Sequence, residues 1–244
     1  MTTVIQIGLV NGRHRCVVRA GLIRPQICYS GPDRCRVGLV ATRALLLGGD
    51  EVELQVDVGP GSALELFDVA ATVAYDGRGR QASWVVGLSV GDGASVLWRG
   101  EPLVISDGAT VQRRLRAELG NAATAVIRDT VVFGRFRQDG GDLHAISEIA
   151  VSSRDVLLED QLLTRSERIR TGVLGDNRVM DTVTCVGSPA PAPGDPGTSG
   201  SAVAFQLIAG AGSVTRFLGS DSTASPLHDV WEQLQQGFRQ PQAS

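Results

Sequence analysis

The sequence predicts an all-β chain: stacked antiparallel strands in a helix-like or sandwich-like scaffold, closed by a C-terminal α-helix. Three observations carry this. Apolar and polar residues alternate over several short runs, glycine-marked turns separate those runs at a near-constant interval, and one amphipathic helical pattern stands near the end.

The alternation is clearest in Glu51–Val58. Val52, Leu54, Val56 and Val58 fall on one face and the acids on the other, the period-two signature of a half-buried strand. Trp84, Val86, Leu88 and Val90 repeat it. Thr124–Phe133 is rich in β-branched residues and reads as a more deeply buried strand. A further strand pair is expected over 202–208 and 213–218.

Between the strands, three segments share one plan: an apolar residue, a glycine, turn residues, then an apolar run. They are Val58-Gly59-Pro60-Gly61, Val90-Gly91-Asp92-Gly93 and Leu119-Gly120-Asn121-Ala122, which places Gly59, Gly91 and Gly120 at a period that suggests stacked supersecondary units. A carboxylate follows each turn at nearly the same offset: Asp68, Glu101 and Asp129. If the units stack, these acids share a seam. Aligned acids repel and resist burial unless a cation attends them, so such a seam suits a divalent metal; if the units do not stack, they are three solvated loop acids.

The whole chain, 1–244, reads as one domain with its core over about 15–186 and 202–224. Residues 187–201 hold four of the ten prolines and read as a loop. The closing helix is expected over about 226–239. Ser225 is its N-cap, Pro226 its first residue, and Leu227, Val230, Trp231, Leu234 and Phe238 form one face suited to the body of the same protein.

Composition excludes several function classes. The 23 basic residues are all arginine, so a phosphate-loop lysine and any Schiff-base chemistry are impossible here; nucleotide hydrolysis would belong to a partner. A net charge of −3 and sparse aromatics give no nucleic-acid footprint. No apolar run reaches membrane-helix length and the first residues lack a secretory pattern, so no membrane partner and a cytoplasmic location with reduced thiols are expected. Nucleophile-elbow, zinc-protease and EF-hand motifs are absent, and no catalytic residue is expected. His14, Cys16 and Cys28 could form a soft metal site, the alternative being packing residues. A carbohydrate-binding β module and a carboxylate-based hydrolase are the competing readings.

Four segments in order carry a resemblance to a known family. They are Ala44-Leu45-Leu46-Leu47-Gly48-Gly49-Asp50 with the strand after it, Thr72-Val73-Ala74-Tyr75-Asp76, Leu97-Trp98-Arg99-Gly100-Glu101-Pro102-Leu103, and Arg128-Asp129-Thr130-Val131-Val132-Phe133-Gly134-Arg135. In this set the chain resembles the urease accessory proteins UreD (UreH), in their actinobacterial form. It departs from the family in having Arg-Gly-Glu-Pro around Glu101, Ala74 where lysine is frequent, and Asp129 where glutamate is frequent.

The resemblance implies a non-catalytic, mainly β scaffold that binds the helical accessory protein UreF directly and the GTPase UreG through it. It implies engagement of the apo-urease structural subunits and support of nickel insertion, with nickel bound transiently and no tightly held cofactor. By motif match it places Asp50, Thr72, Glu101 and Asp129 along an internal polar passage, with Arg128 and Arg135 balancing their charge. The bland alternative for all six is turn caps and strand-end ion pairs.

Overall fold

A computed structural model describes residues 1–187 and 201–239. In chain order the strands are β1 Thr3–Val10, β2 Arg13–Arg19, β3 Ile23–Ser30, β4 Cys35–Ala41, β5 Glu51–Val58, β6 Ala63–Asp68, β7 Thr72–Ala74, β8 Ala82–Val90 and β9 Ser95–Arg99. There follow β10 Leu103–Ile105, β11 Thr110–Leu119, β12 Thr124–Phe133, β13 Asp142–Val151, β14 Arg154–Leu163, the short α1 Arg165–Arg168, β15 Val179–Val186, β16 Ser201–Gln206, β17 Gly212–Gly219 and α2 Leu227–Arg239.

The strands form two facing sheets. One runs β14-β13-β11-β8-β5-β1-β2; the other runs β16-β17-β15-β12-β9-β6-β4-β3, with the short β10 and β7 attached beside β12. From β5 to β13 the chain crosses from one sheet to the other and back again, so each circuit lays one long strand on each sheet. The glycine period is one such circuit.

This corrects the expected strand direction. The scaffold is all-β and stacked, but its central strands are parallel: β5, β8, β11 and β13 in one sheet, and β4, β6, β9 and β12 in the other. Parallel neighbours need a long crossover, and here the strand in the opposite sheet supplies it. Antiparallel pairs occur at the ends of the stack, in β1–β2, β3–β4, β13–β14 and β12–β15–β17–β16.

The main core fills the space between the sheets. Val52, Leu54, Val56 and Val58 of β5 and Trp84, Val86, Leu88 and Val90 of β8 are all buried there, facing Leu64 and Leu66 of β6, Val96 and Trp98 of β9, and Ala125 and Ile127 of β12. Residues ahead of position 15 contribute too, since Ile5 and Ile7 of β1 are buried in the same cluster. The proline-rich stretch, except its ends Gly187 and Ser201, lies outside the described residues.

A second, smaller cluster lies on the outer face of the larger sheet. There α2 sets Leu227 down beside Val183, Cys185 and Phe217, with Val230 and Leu234 packed against them. The Ser225 hydroxyl accepts from Leu227 N–H (3.2 Å) and donates to Asp181 (2.5 Å), so the cap of α2 is also its anchor.

Candidate functional site

The stacked register explains the recurring acids. Leu66 of β6 pairs with Trp98 of β9, and Trp98 pairs with Ile127 of β12. Continuing that register two residues brings Asp68, Gly100 and Asp129 into one row, with Glu101 one step further. Gly100 N–H donates to Arg128 O (2.9 Å), which holds the middle chain against its neighbour.

The row borders a small cavity between the sheets, of about 30 Å³, lined among others by Asp68, Thr72, Trp84, Glu101, Arg113 and Asp129. That is room for one or two water-sized species. A second cavity of about 130 Å³ adjoins it, lined mainly by apolar residues such as Ile23, Leu39 and Leu45. Asp68, Thr72 and Trp84 line both and form the wall between them.

Each acid is held differently. Asp68 accepts from Glu101 N–H (3.2 Å) and from Trp98 Nε1–H (3.4 Å), and burial pushes its carboxyl up to about 6. Asp129 pairs with Arg113, which reaches across from β11 in the opposite sheet. Glu101 pairs with Arg99 (3.0 Å) at the exposed end of the row. Trp84 is buried, and its Nε1–H has no hydrogen-bond partner among the described residues.

The four passage residues and the two balancing arginines that the resemblance implies do not all meet at this cavity. Thr72, Glu101 and Asp129 line the cavity. Asp50 does not: it accepts from Arg43 (2.7 Å) and from Leu47 N–H (3.1 Å), capping the turn that precedes β5. Arg135 sits in the turn after β12, bonded to Gln138 and stacked over Tyr75. Arg128 contributes only backbone to the site. Adjacent residues on a strand point to opposite faces, so with Asp129 directed inward the Arg128 guanidinium is directed outward, where it pairs with Asp181 (2.7 Å) beneath α2. The balancing charge is Arg113, an inward position of β11 between the buried Val111 and the half-buried Leu115.

The soft metal candidates do not assemble. His14 donates Nδ1–H to Gly31 O (3.1 Å) and accepts at Nε2 from Ala63 N–H (2.8 Å), so both ring nitrogens are used by backbone. Cys16 lies against Cys35, not Cys28; their hydrogen bond raises the Cys16 thiol and brings Cys35 down to about 7. Cys28 is exposed on β3. Among the described residues no three His, Cys, Asp or Glu side chains converge to hold a metal ion.

Residues 18–244 match the family described as UreD urease accessory protein. The chain belongs to the UreD family. A Streptomyces griseus protein named urease accessory protein UreD 1 is 35% identical over 88% of this chain and 82% of its own length. A Saccharopolyspora erythraea UreD 1 is 34% identical over 64% of this chain and 62% of its own length. The Bordetella pertussis UreD is 30% identical over 63% of this chain, which spans 56% of that relative. No helix among the described residues of this UreD-family chain is long and apolar enough to cross a membrane.

Proposed function

We propose that this chain is a non-catalytic scaffold for urease maturation, and that Ni²⁺ crosses it through the paired cavities between its sheets. Family membership implies the role in urease maturation. The observation that carries the nickel step is the wall shared by the two cavities: a buried carboxylate and a threonine hydroxyl, with two further carboxylates on the inner side.

The chemistry suits passage better than storage. Carboxylate and hydroxyl oxygens bind divalent cations with ready exchange, whereas thiolate and imidazole sets hold them. Because the acids form a row and not a converging set, a cation would meet them in turn. Arg113 keeps Asp129 paired while no cation is present, and a divalent ion competes for that carboxylate. In this reading the chain binds UreF directly and UreG through UreF, engages the apo-urease subunits, and works in the cytoplasm, where its four free cysteines stay reduced.

The test is urease activation in cells expressing the whole maturation set. Glu101→Ala combined with Asp129→Ala is expected to lower urease nickel content and activity at least tenfold, while the chain still co-elutes with UreF and UreG. Full activation by the double variant would remove the acid row from the mechanism.

A further inference from the structure

We propose that the turns at 75–81 and 134–141 form a docking surface for a partner protein whose surface is acidic around an apolar pocket. This rests on the maturation-scaffold reading above only for the identity of the proteins to be tried.

The two turns meet at one edge of the stack, where the Arg135 guanidinium lies 5.8 Å from the Tyr75 ring centre. Arg78, Arg80, Arg135 and Arg137 are all exposed there, and none forms an ion pair with a carboxylate of the described residues, although Asp139 of the same turn pairs with Arg165 and twelve further pairings of arginine with acid occur over the rest of the molecule. The nearby acids are engaged otherwise: Asp76 accepts from Arg78 N–H (2.8 Å) and Asp107 from Gly140 N–H (2.7 Å). The chain as a whole is acidic at −3, so a cluster of unpaired guanidinium groups is a local inversion of its charge.

At the centre of this cluster Phe136 is 85% exposed, with the Arg137 guanidinium 5.1 Å from its ring centre. The turn that presents it is braced from below. Arg178 donates to Gly134 O and to Arg135 O (3.1 Å), Gly134 N–H donates to Ile105 O (2.7 Å), and the buried Arg168 donates to the carbonyls of Asp139 and Gly140 (2.6 Å each) and of Gly141 (2.5 Å). Arg137 at φ +62° and Arg78 at φ +49° adopt a left-handed conformation that L-residues enter at a cost.

An aromatic side chain left in water adds nothing to the stability of the monomer. Holding it on a braced turn, ringed by arginine, reproduces the composition of an interface centre: an aromatic anchor, arginines able to form forked bonds to carboxylates, and little entropy left to lose on binding. The unpaired positive charge selects an acidic partner, and the projecting ring selects one with an apolar recess.

Binding of the purified chain to cognate UreF and to cognate apo-urease, measured at low and high salt, tests this. Phe136→Ala is expected to weaken one of the two complexes about tenfold. Arg135→Glu with Arg137→Glu is expected to weaken the same complex about a hundredfold and to remove most of its salt dependence. Asp155→Asn, on the opposite edge of the stack, leaves it unchanged. All these side chains are exposed, so unfolding curves should overlay that of the parent. Unchanged binding of both proteins by the two edge variants overturns the docking surface while sparing the maturation reading. A parent chain that self-associates through this edge, with partner binding unaffected, overturns it in favour of a second copy. A parent chain that binds neither protein sinks the maturation reading and the docking surface with it.

Discussion

The two edges of the stack, where the chain passes between sheets, are built on different principles. At the edge of Gly59, Gly91 and Gly120 the turns are near copies. Gly91 N–H donates to Val58 O (2.7 Å) and Gly120 N–H to Val90 O (2.8 Å), and Gly61 and Gly93 donate to Asp92 O and Asn121 O (2.9 Å each). Backbone holds backbone, circuit upon circuit. At the edge of Tyr75 and Phe136 the turns differ in length, and side chains add to backbone bonds such as Gly49 N–H to Gln81 O (2.9 Å) and Gly77 N–H to Gly108 O (3.2 Å): Asp50 accepts from Leu47 N–H, Asp76 from Arg78 N–H and Asp107 from Gly140 N–H, and Arg168 donates to three carbonyls. The charges differ as well. A groove of about 660 Å³ at the first edge carries Asp57, Asp92, Glu118 and Asp155 with only Arg116 against them, whereas the second edge carries the unpaired arginines. A backbone-stacked edge repeats and props the fold; a side-chain-braced edge is free to vary in shape and present residues outward.

The largest expected effect separates these two kinds of bracing. Arg168→Ala leaves three carbonyls, two of them buried, without their charged donor and opens space over the Phe133 ring. A loss of about 4 kcal/mol is expected, read by urea unfolding. If the edge were held by backbone as the other is, the loss would be under about 1 kcal/mol. The mirror experiment is Gly120→Val. A Cβ there would stand 2.8 Å from Asp92 N and 3.1 Å from Asp92 Cα, so two circuits must part to admit it. About 3 kcal/mol of destabilisation is expected from such overpacking, and a near-neutral result would mean that the turns are not in contact in solution.

This contrast also explains what the sequence made legible. Backbone-stacked turns need a small residue at the same position in each circuit, so the glycine period was readable, and with it the row of Asp68, Glu101 and Asp129. The other edge also repeats glycine, at Gly77, Gly108 and Gly140, but its acids accept from backbone N–H groups at unequal offsets, Asp50 from Leu47, Asp76 from Arg78 and Asp107 from Gly140, so its period is harder to read. Strand direction was not readable from alternation, since period two is the same for parallel and antiparallel strands; a repeat long enough for two strands and two turns was the available clue. Arg113 was legible in principle, as an arginine in phase with Val111 and Leu115 on the inward face of an alternating strand. The adjacency of Arg128 and Asp129 should have excluded Arg128 as a partner in the cavity, because neighbours on a strand face opposite ways.

Between the two edges, the cavity itself has a measurable signature. The Asp68 carboxyl sits at about 6 when folded, above its ordinary range, because burial disfavours its charge. The folded chain therefore holds more protons than the unfolded chain between about pH 4 and 6, and ionised Asp68 costs stability that is fully felt above that window. Two pH units correspond to at most about 3 kcal/mol. Asp68→Asn is expected to stabilise the chain by about 2 kcal/mol at pH 7.5 and by nearly nothing at pH 4, compared by chemical denaturation at both. An equal gain at both values would show that the carboxyl is not buried as described. At neutral pH the chain thus bears a cost for a charged group at the wall between its cavities.

Phe136→Ala is expected to leave stability within about 0.5 kcal/mol of the parent, because its ring is in water and the turn is braced by Arg168, Arg178 and Gln138 instead. The melting curve checks it. A residue that costs nothing to remove from the monomer, yet is held on one of its most heavily braced turns, is not there for folding. A loss above about 1.5 kcal/mol would mean that the ring packs on its own chain, and would turn the edge from a presenting surface into part of the core. Set beside Arg168→Ala, the pair divides the turn into the groups that hold it and the group that it holds out.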